Sequence, residues 1–194
     1  MNLYSCKDCE RLSSNLIKLK SIYPTYHCLP VKGFGKLTSE LCIVGLAPGL
    51  HGANKTGIPF TDDFSGNVIR QVLNNYDESK IYITNVVKCY PPMNKPKLSE
   101  INLCKKYFSN ELRLLKNLRV IVTLGSIAYY ETIRYFDLTK KNYNFKHGKI
   151  INLNNNQTII SSFHCSKLNF NTKRISITML NNIFKKAFKI VNDG

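Results

Sequence analysis

The sequence predicts an α/β protein: a three-layer α/β/α sandwich around a central, mostly parallel, four-stranded sheet. Three observations predict it. Short apolar runs alternate with stretches whose apolar residues recur at helical spacing. The runs at 41–44, 81–84, 119–124 and 158–161 are largely continuous rather than alternating, as strands covered on both faces must be. The glycines, prolines and unusual polar residues gather directly after these runs, where a parallel sheet places its functional loops.

In chain order, Leu12, Leu16 and Leu19 mark a first helix within residues 1–20, and residues 21–39 read as irregular, with Pro24, Pro30, Gly33 and Gly35. Leu41–Val44 is a buried strand stopped by Gly45, and 45–64 is a long glycine-rich loop. Ser65–Leu73 is a helix with Val68, Ile69, Val72 and Leu73 on or near one face, and Ile81–Thr84 a second strand entering the loop Asn85–Pro96. A helix from about Ser99 to Lys116 is read with Leu103, Tyr107 and Leu114 in its apolar stripe. Arg119–Leu124 is the clearest strand, followed by a helix to Tyr135 capped by Ser126. The polar, Asn-rich stretch 137–156 is a hairpin or an insertion. Thr158–Ser161 is the fourth strand, and Ser176–Val191 closes the chain with Leu180, Phe184, Phe188 and Val191 facing inward. Lys185, Lys186 and Lys189 read as that helix's solvent face. No repeat or interior linker interrupts the pattern, so residues 1–194 are expected to form one domain.

Composition narrows the function. Lys and Arg number 28 against 12 Asp and Glu, a net charge of +16, while 43% of residues are hydrophobic. A globule of this length buries roughly 70% of the surface its unfolded chain exposes, so the charge decorates a real core rather than a disordered tail. A surface so basic suits a polyanion first and an anionic membrane second. No 18-residue window is apolar enough to span a membrane, and Met1–Glu10 carries Asp8 and lacks the apolar stretch of a signal peptide. A cytoplasmic, intracellular protein is expected. Seven cysteines, an odd number, argue against a disulfide framework there.

Four of those cysteines group as Cys6-x₂-Cys9, Cys89 and Cys104. Four thiolates can hold tetrahedral zinc or a cubane iron–sulfur cluster. The spacing does not choose between them, although the 14 residues between Cys89 and Cys104 lean toward a cluster. The plain alternative is that Cys89 and Cys104 are buried thiols, as Cys42 is read to be. The loop 45–66 lacks the Gly-Lys-Ser/Thr ending of a P-loop. Its glycines permit close backbone approach, and Phe60 is placed either to stack on a flat ligand or to pack in the core. His164, directly after the fourth strand, reads equally as a ligand-facing donor or a satisfied loop histidine.

Together these segments resemble the uracil-DNA glycosylase superfamily, in its type 5, iron–sulfur branch. The matching segments are Cys6-x₂-Cys9, Gly45–Gly49, His51–Gly57, Phe60–Asp63, Ser65-Gly66, Thr84–Pro92, Cys104 and Phe163–Asn169. The resemblance implies a hydrolase of the N-glycosidic bond of uracil flipped out of DNA, leaving an abasic site in base excision repair. It implies a [4Fe-4S] cluster on Cys6, Cys9, Cys89 and Cys104, structural rather than redox-active. It gives Asp63 and His164 the catalytic roles, the acid near sugar and water, the histidine donating to the base carbonyl. Phe60 would stack on the base, Asn85 or Asn94 would read its edge, and Leu168 would wedge into the vacated stack. Gly45, Ala47, His51, Ser166 and Asn169 complete the expected substrate-binding set.

Three departures stand out. Leu46 occupies a position where related branches carry an acid, which shifts the work toward Asp63. Cys165 replaces the usual Pro and is expected to leave its loop looser. Asp62 replaces the usual Gly and is expected to point away from DNA. The expected partner is uracil-bearing DNA, double-stranded and also single-stranded, bound by a monomer without membrane association. The alternatives are a broader deaminated-base glycosylase for hypoxanthine and xanthine, a non-catalytic iron–sulfur nucleic-acid-binding protein, and a redox or zinc protein outside repair.

Overall fold

The computed structural model describes residues 2–193. Four strands run parallel: β1 (Leu41–Gly45), β2 (Ile81–Asn85), β3 (Val120–Leu124) and β5 (Thr158–Ser162). A fifth, β4 (Ile150–Asn152), pairs antiparallel to β5, and the order across the sheet is β2-β1-β3-β5-β4. The sheet therefore has five strands where the sequence predicts four. β4 is three residues long with only Ile151 buried, so it offers no apolar run to read. Within 137–156 only β4 is a strand, and its hairpin partner is β5, outside that stretch.

Every residue of the four parallel strands is buried. Period-two alternation divides them between two cores. Leu41, Ile43, Ile83 and Val122 face α3 (Phe64–Leu73) and α7 (Ile177–Asn192), meeting Ile69, Leu180 and Phe184. Cys42, Val44, Ile121 and Ile159 face the other way, against α1 (Glu10–Ile22), α4 (Leu98–Leu114) and α5 (Ser126–Tyr135). Two shorter helices, α2 (Ala53–Thr56) and α6 (Lys167–Asn171), lie within the loops that follow β1 and β5.

Local chemistry explains most boundaries. Ser176 caps α7 by accepting the Met179 N–H at 3.2 Å. The start of α5 is different. Gly125, at φ +99°, holds the cap position and Ser126 is the first helical residue, without a side-chain cap bond. In α4 the buried stripe is Ile101, Cys104, Tyr107, Phe108 and Leu112, while Leu103 and Leu114 are exposed. Those two leucines are spaced like core residues but lie on the outer face.

One polar network is buried where β2 ends. Lys88 has a fully buried side chain, and its Nζ donates to Glu111 Oε2 and Thr84 Oγ1, both at 2.6 Å. The other Glu111 oxygen accepts the Gly33 N–H at 2.8 Å. Residues 31–34 are thereby held along β2, where Phe34 and Ile83 form an antiparallel bridge. Removing one partner of such a pair leaves a buried charge uncompensated, which costs about 3–5 kcal/mol. Glu111→Ala is expected to lower unfolding free energy by about 3 kcal/mol in a denaturant titration. Replacing both partners, as in Lys88→Met with Glu111→Leu, should recover most of that loss.

Candidate active site

The C-terminal ends of β1, β2, β3 and β5 surround a cavity of about 610 Å³. In-register pairing of β1 with β2 sets Gly45 beside Asn85. A Cβ on Gly45 would clash with Asn85 Oδ1 and lie 2.7 Å from the Phe60 ring, so the absent side chain is what lets both groups reach the cavity. Asn85 is 3% exposed and its Oδ1 has no hydrogen-bond partner among the described residues. A buried acceptor left unpaired costs roughly 1–3 kcal/mol, and a ligand N–H can remove that cost.

Phe60 is buried against the core and also lines the cavity. Its φ is +53°, a left-handed conformation uncommon outside glycine. Gly66 makes this turn possible, since a Cβ there would come within 2.7 Å of the Phe60 carbonyl carbon. Asp62 is also left-handed, at φ +58°, where a glycine would serve. It is exposed and ion-paired to Lys55 at 2.9 Å.

Asp63 caps α3, with Oδ1 accepting the Gly66 N–H at 2.8 Å. Its Oδ2 occupies the space that a Cβ on Gly49 or Gly52 would need. His164 follows β5 and is partly buried. Burial holds its pKa below the ordinary value of 6.5, partly offset by the Asp63 carboxylate. At neutral pH the ring is therefore uncharged and can donate from one nitrogen only.

Asn169 donates from Nδ2 to the His164 carbonyl at 2.7 Å, so this side chain braces the loop that carries the histidine. Ser166 Oγ accepts the Asn169 N–H at 3.3 Å. Cys165 is fully buried; Ser65 Oγ donates to its carbonyl at 3.2 Å, and burial pushes its thiol up to about 12. Cys165 is thus tied to the start of α3 through Ser65.

Ala47, His51, Asn94 and Ser166 all line the cavity. Asn94 is exposed at its rim at φ +57°, and His51 Nδ1 is hydrogen-bonded with the Tyr26 hydroxyl at 3.0 Å. Leu168 stands outside the lining, 70% exposed on α6. Leu46 is part of the wall. Phe145, Phe163, Gly125 and Arg174 also line it and carry no role in the sequence reading. Phe145 comes from the polar stretch, held there by its N–H donating to Tyr130 Oη at 3.2 Å and by the Tyr129 hydroxyl donating to the Tyr143 carbonyl. These anchors lie on α5, remote in sequence.

The iron–sulfur expectation is overturned. Cys6, Cys9, Cys89 and Cys104 border one cleft of about 20 Å³. That is room for about one water molecule, not for a cubane of iron and sulfide. Among the described residues no group of three or more His, Cys, Asp or Glu side chains is arranged to hold a metal ion. Cys104 Sγ accepts the Lys88 N–H at 3.3 Å. All four are free cysteines, three of them partly buried and Cys104 buried.

Comparison with known proteins shows the family. Residues 32–190 match the family described as the uracil DNA glycosylase superfamily. The chain belongs to that superfamily, and within it to the type-5 family. It is 32% identical to a type-5 uracil-DNA glycosylase of Thermus thermophilus, over 97% of this chain and 94% of the relative. It is 31% identical to a type-5 uracil-DNA glycosylase of Pyrobaculum aerophilum, over 95% and 88%. The crystal structure of Pedobacter heparinus SMUG2 shares the fold at 17% identity, with a TM-score of 0.55 over 97% of this chain and 86% of that one. No helix among the described residues is long and apolar enough to cross a membrane.

The His164 shift has a sign that can be measured. Between the folded pKa and the unfolded value of 6.5, the unfolded chain binds the extra proton. His164 therefore contributes stability that is complete above 6.5 and is lost as pH falls through the folded pKa. NMR titration should find its midpoint below 6.5, and Asp63→Asn should lower it further. Gly45→Ala should fold yet displace Asn85 and Phe60, lowering single-turnover excision of uracil at least ten-fold.

Proposed function

We infer that this enzyme acts on DNA as a uracil-DNA glycosylase, hydrolysing the N-glycosidic bond of a flipped uracil and leaving an abasic site. The observation that carries this reading is one cavity lined by an aromatic ring, an unpaired buried amide oxygen, a carboxylate and a neutral imidazole. Membership of the superfamily supports the same reaction.

The target base is unreachable inside a duplex until it is flipped, at a cost of a few kcal/mol. Phe60 offers the flipped base a replacement stacking partner. Asn85 Oδ1 accepts the uracil N3–H while its amide donates to O4; cytosine presents the opposite pattern. Cleavage sends the glycosidic electron pair to the base and leaves positive character at C1′. His164, neutral and donating, stabilises the departing anion, and one such contact is worth about 3 kcal/mol. Asp63 balances the sugar charge and orients the water whose oxygen bonds to C1′.

The remaining residues are proposed in supporting roles. Gly45 and Ala47 give the base close access to backbone, and His51 and Asn94 meet the strand at the rim. Ser166 and Asn169 hold the histidine loop, and Leu168 projects toward the duplex as a wedge. The chain works as one glycosylase domain, as an intracellular monomer on duplex or single-stranded DNA.

Duplexes carrying U·G, U·A, hypoxanthine or xanthine, followed by alkaline cleavage, test this directly. Strand cleavage at uracil is expected, and no product on any duplex would remove the enzyme reading. His164→Ala and Asp63→Ala should each slow single-turnover excision at least ten-fold while leaving duplex binding nearly intact. Because His164 is already neutral, the wild-type rate should not fall between pH 7 and 8; a decline there would mean the imidazolium is the active form.

A further inference from the structure

The cavity wall contains one permanent cation, Arg174, and one carboxylate, Asp63, and the two are not paired. Among the described residues no carboxylate or carbonyl accepts a hydrogen bond from the Arg174 guanidinium. The guanidinium carbon lies 4.5 Å from the centroid of the Phe163 ring. Stacking of this kind occupies a face of the guanidinium and leaves the in-plane N–H edge free. That edge is the part which forks onto phosphate oxygens.

The platform beneath Arg174 is built rather than incidental. Phe163 is stacked on His147, with centroids 5.2 Å apart and planes 14° from parallel. His147 Nδ1 accepts the Phe163 N–H at 3.2 Å. The Arg174 backbone N–H donates to the Asn169 carbonyl at 2.9 Å, and the Asn169 side chain donates to the His164 carbonyl. Arg174 is thus tied through a single residue to the loop that carries the histidine.

We propose that Arg174 binds a phosphate flanking the flipped nucleotide, so that the backbone is fixed relative to His164 as the base enters the cavity. A base drawn into this cavity leaves its two phosphates at the mouth, where an exposed arginine with no internal partner faces them. The proposal rests on the glycosylase reading for the identity of that phosphate. It goes beyond it by assigning a specific contact, distinct from the diffuse attraction of the basic surface.

The test pairs a protein change with a DNA change. Arg174 is replaced by Gln, which keeps part of the stem against Phe163, and by Lys, which keeps the charge. Duplexes carry one 2′-fluorinated uridine opposite guanine, which resists cleavage, with native phosphates or an uncharged methylphosphonate on either side of the uridine. Binding is followed by fluorescence anisotropy across a salt series. One of the two methylphosphonates should weaken wild-type binding at least five-fold and Arg174→Gln binding less than two-fold. The slope of log affinity against log salt should shrink by about 1 in Arg174→Gln and persist in Arg174→Lys. Equal methylphosphonate effects in wild type and Arg174→Gln at both positions would overturn the proposal, whether those effects are large or absent. Excision of unmodified uracil by the wild type is measured in parallel. A protein that binds but does not excise would fail the glycosylase reading, while the methylphosphonate comparison still decides Arg174.

Discussion

The hydrogen bond from the Gly66 N–H to Asp63 Oδ1 ties the loop after β1 to the helix that follows it. It satisfies an otherwise orphan donor at the start of α3 and fixes the carboxylate in one orientation. With Oδ1 so engaged, Oδ2 is pressed into space left open by Gly49 and Gly52. The same turn carries Phe60 over Gly45 and Gly66. Four positions without a Cβ are therefore not independent: each accommodates a side chain or backbone that the Asp63 cap has set in place. The loop's precision comes from packing against missing atoms rather than from regular structure.

Electrostatics sorts the many cations into distinct kinds. Most are exposed lysines, such as Lys185, Lys186 and Lys189 on the outer face of α7, and these supply long-range attraction without direction. Lys88 is the opposite case, spent wholly on holding β2 against α4 and the segment near Gly33. Burial lowers the pKa of His164 in the cavity wall, against the pull of Asp63, and that of His147 behind Phe163, with a further push from Lys186. A neutral His164 presents a donor rather than a fixed charge to the base, which suits a leaving group whose charge appears only as a bond breaks.

What the sequence makes legible follows from how each residue is used. The parallel strands are readable because burial on both faces forces unbroken apolar runs, and α1, α3 and α7 because their buried residues recur at one spacing. Asp63, Phe60, Asn85 and His164 are readable because each sits at a strand end or in the loop leaving one. β4 is not, since one buried side chain makes no pattern. Leu103 and Leu114 mislead because apolar spacing does not say which face of α4 meets the sheet. The wall formed by Phe145, Phe163 and Arg174 is assembled by tyrosines of α5 and by His147, contacts that no local pattern encodes. The cysteines mislead most. Their spacing permits a metal site, but the cleft they border holds only about 20 Å³ and no metal-holding group is found among the described residues.

The bridge between Phe34 and Ile83 bears on a different property. The outer side of β2 would otherwise present a row of free backbone donors and acceptors, but Phe34 and Ile83 exchange hydrogen bonds of 2.8 and 2.7 Å there. At the opposite margin β4 is only three residues long, and Asn152 ends it. Unprotected margins are where sheets of neighbouring molecules join. Both margins of this sheet are either occupied or too short to recruit a strand, so a crowded solution of the protein is guarded against sheet-to-sheet aggregation by its own backbone as well as by its charge.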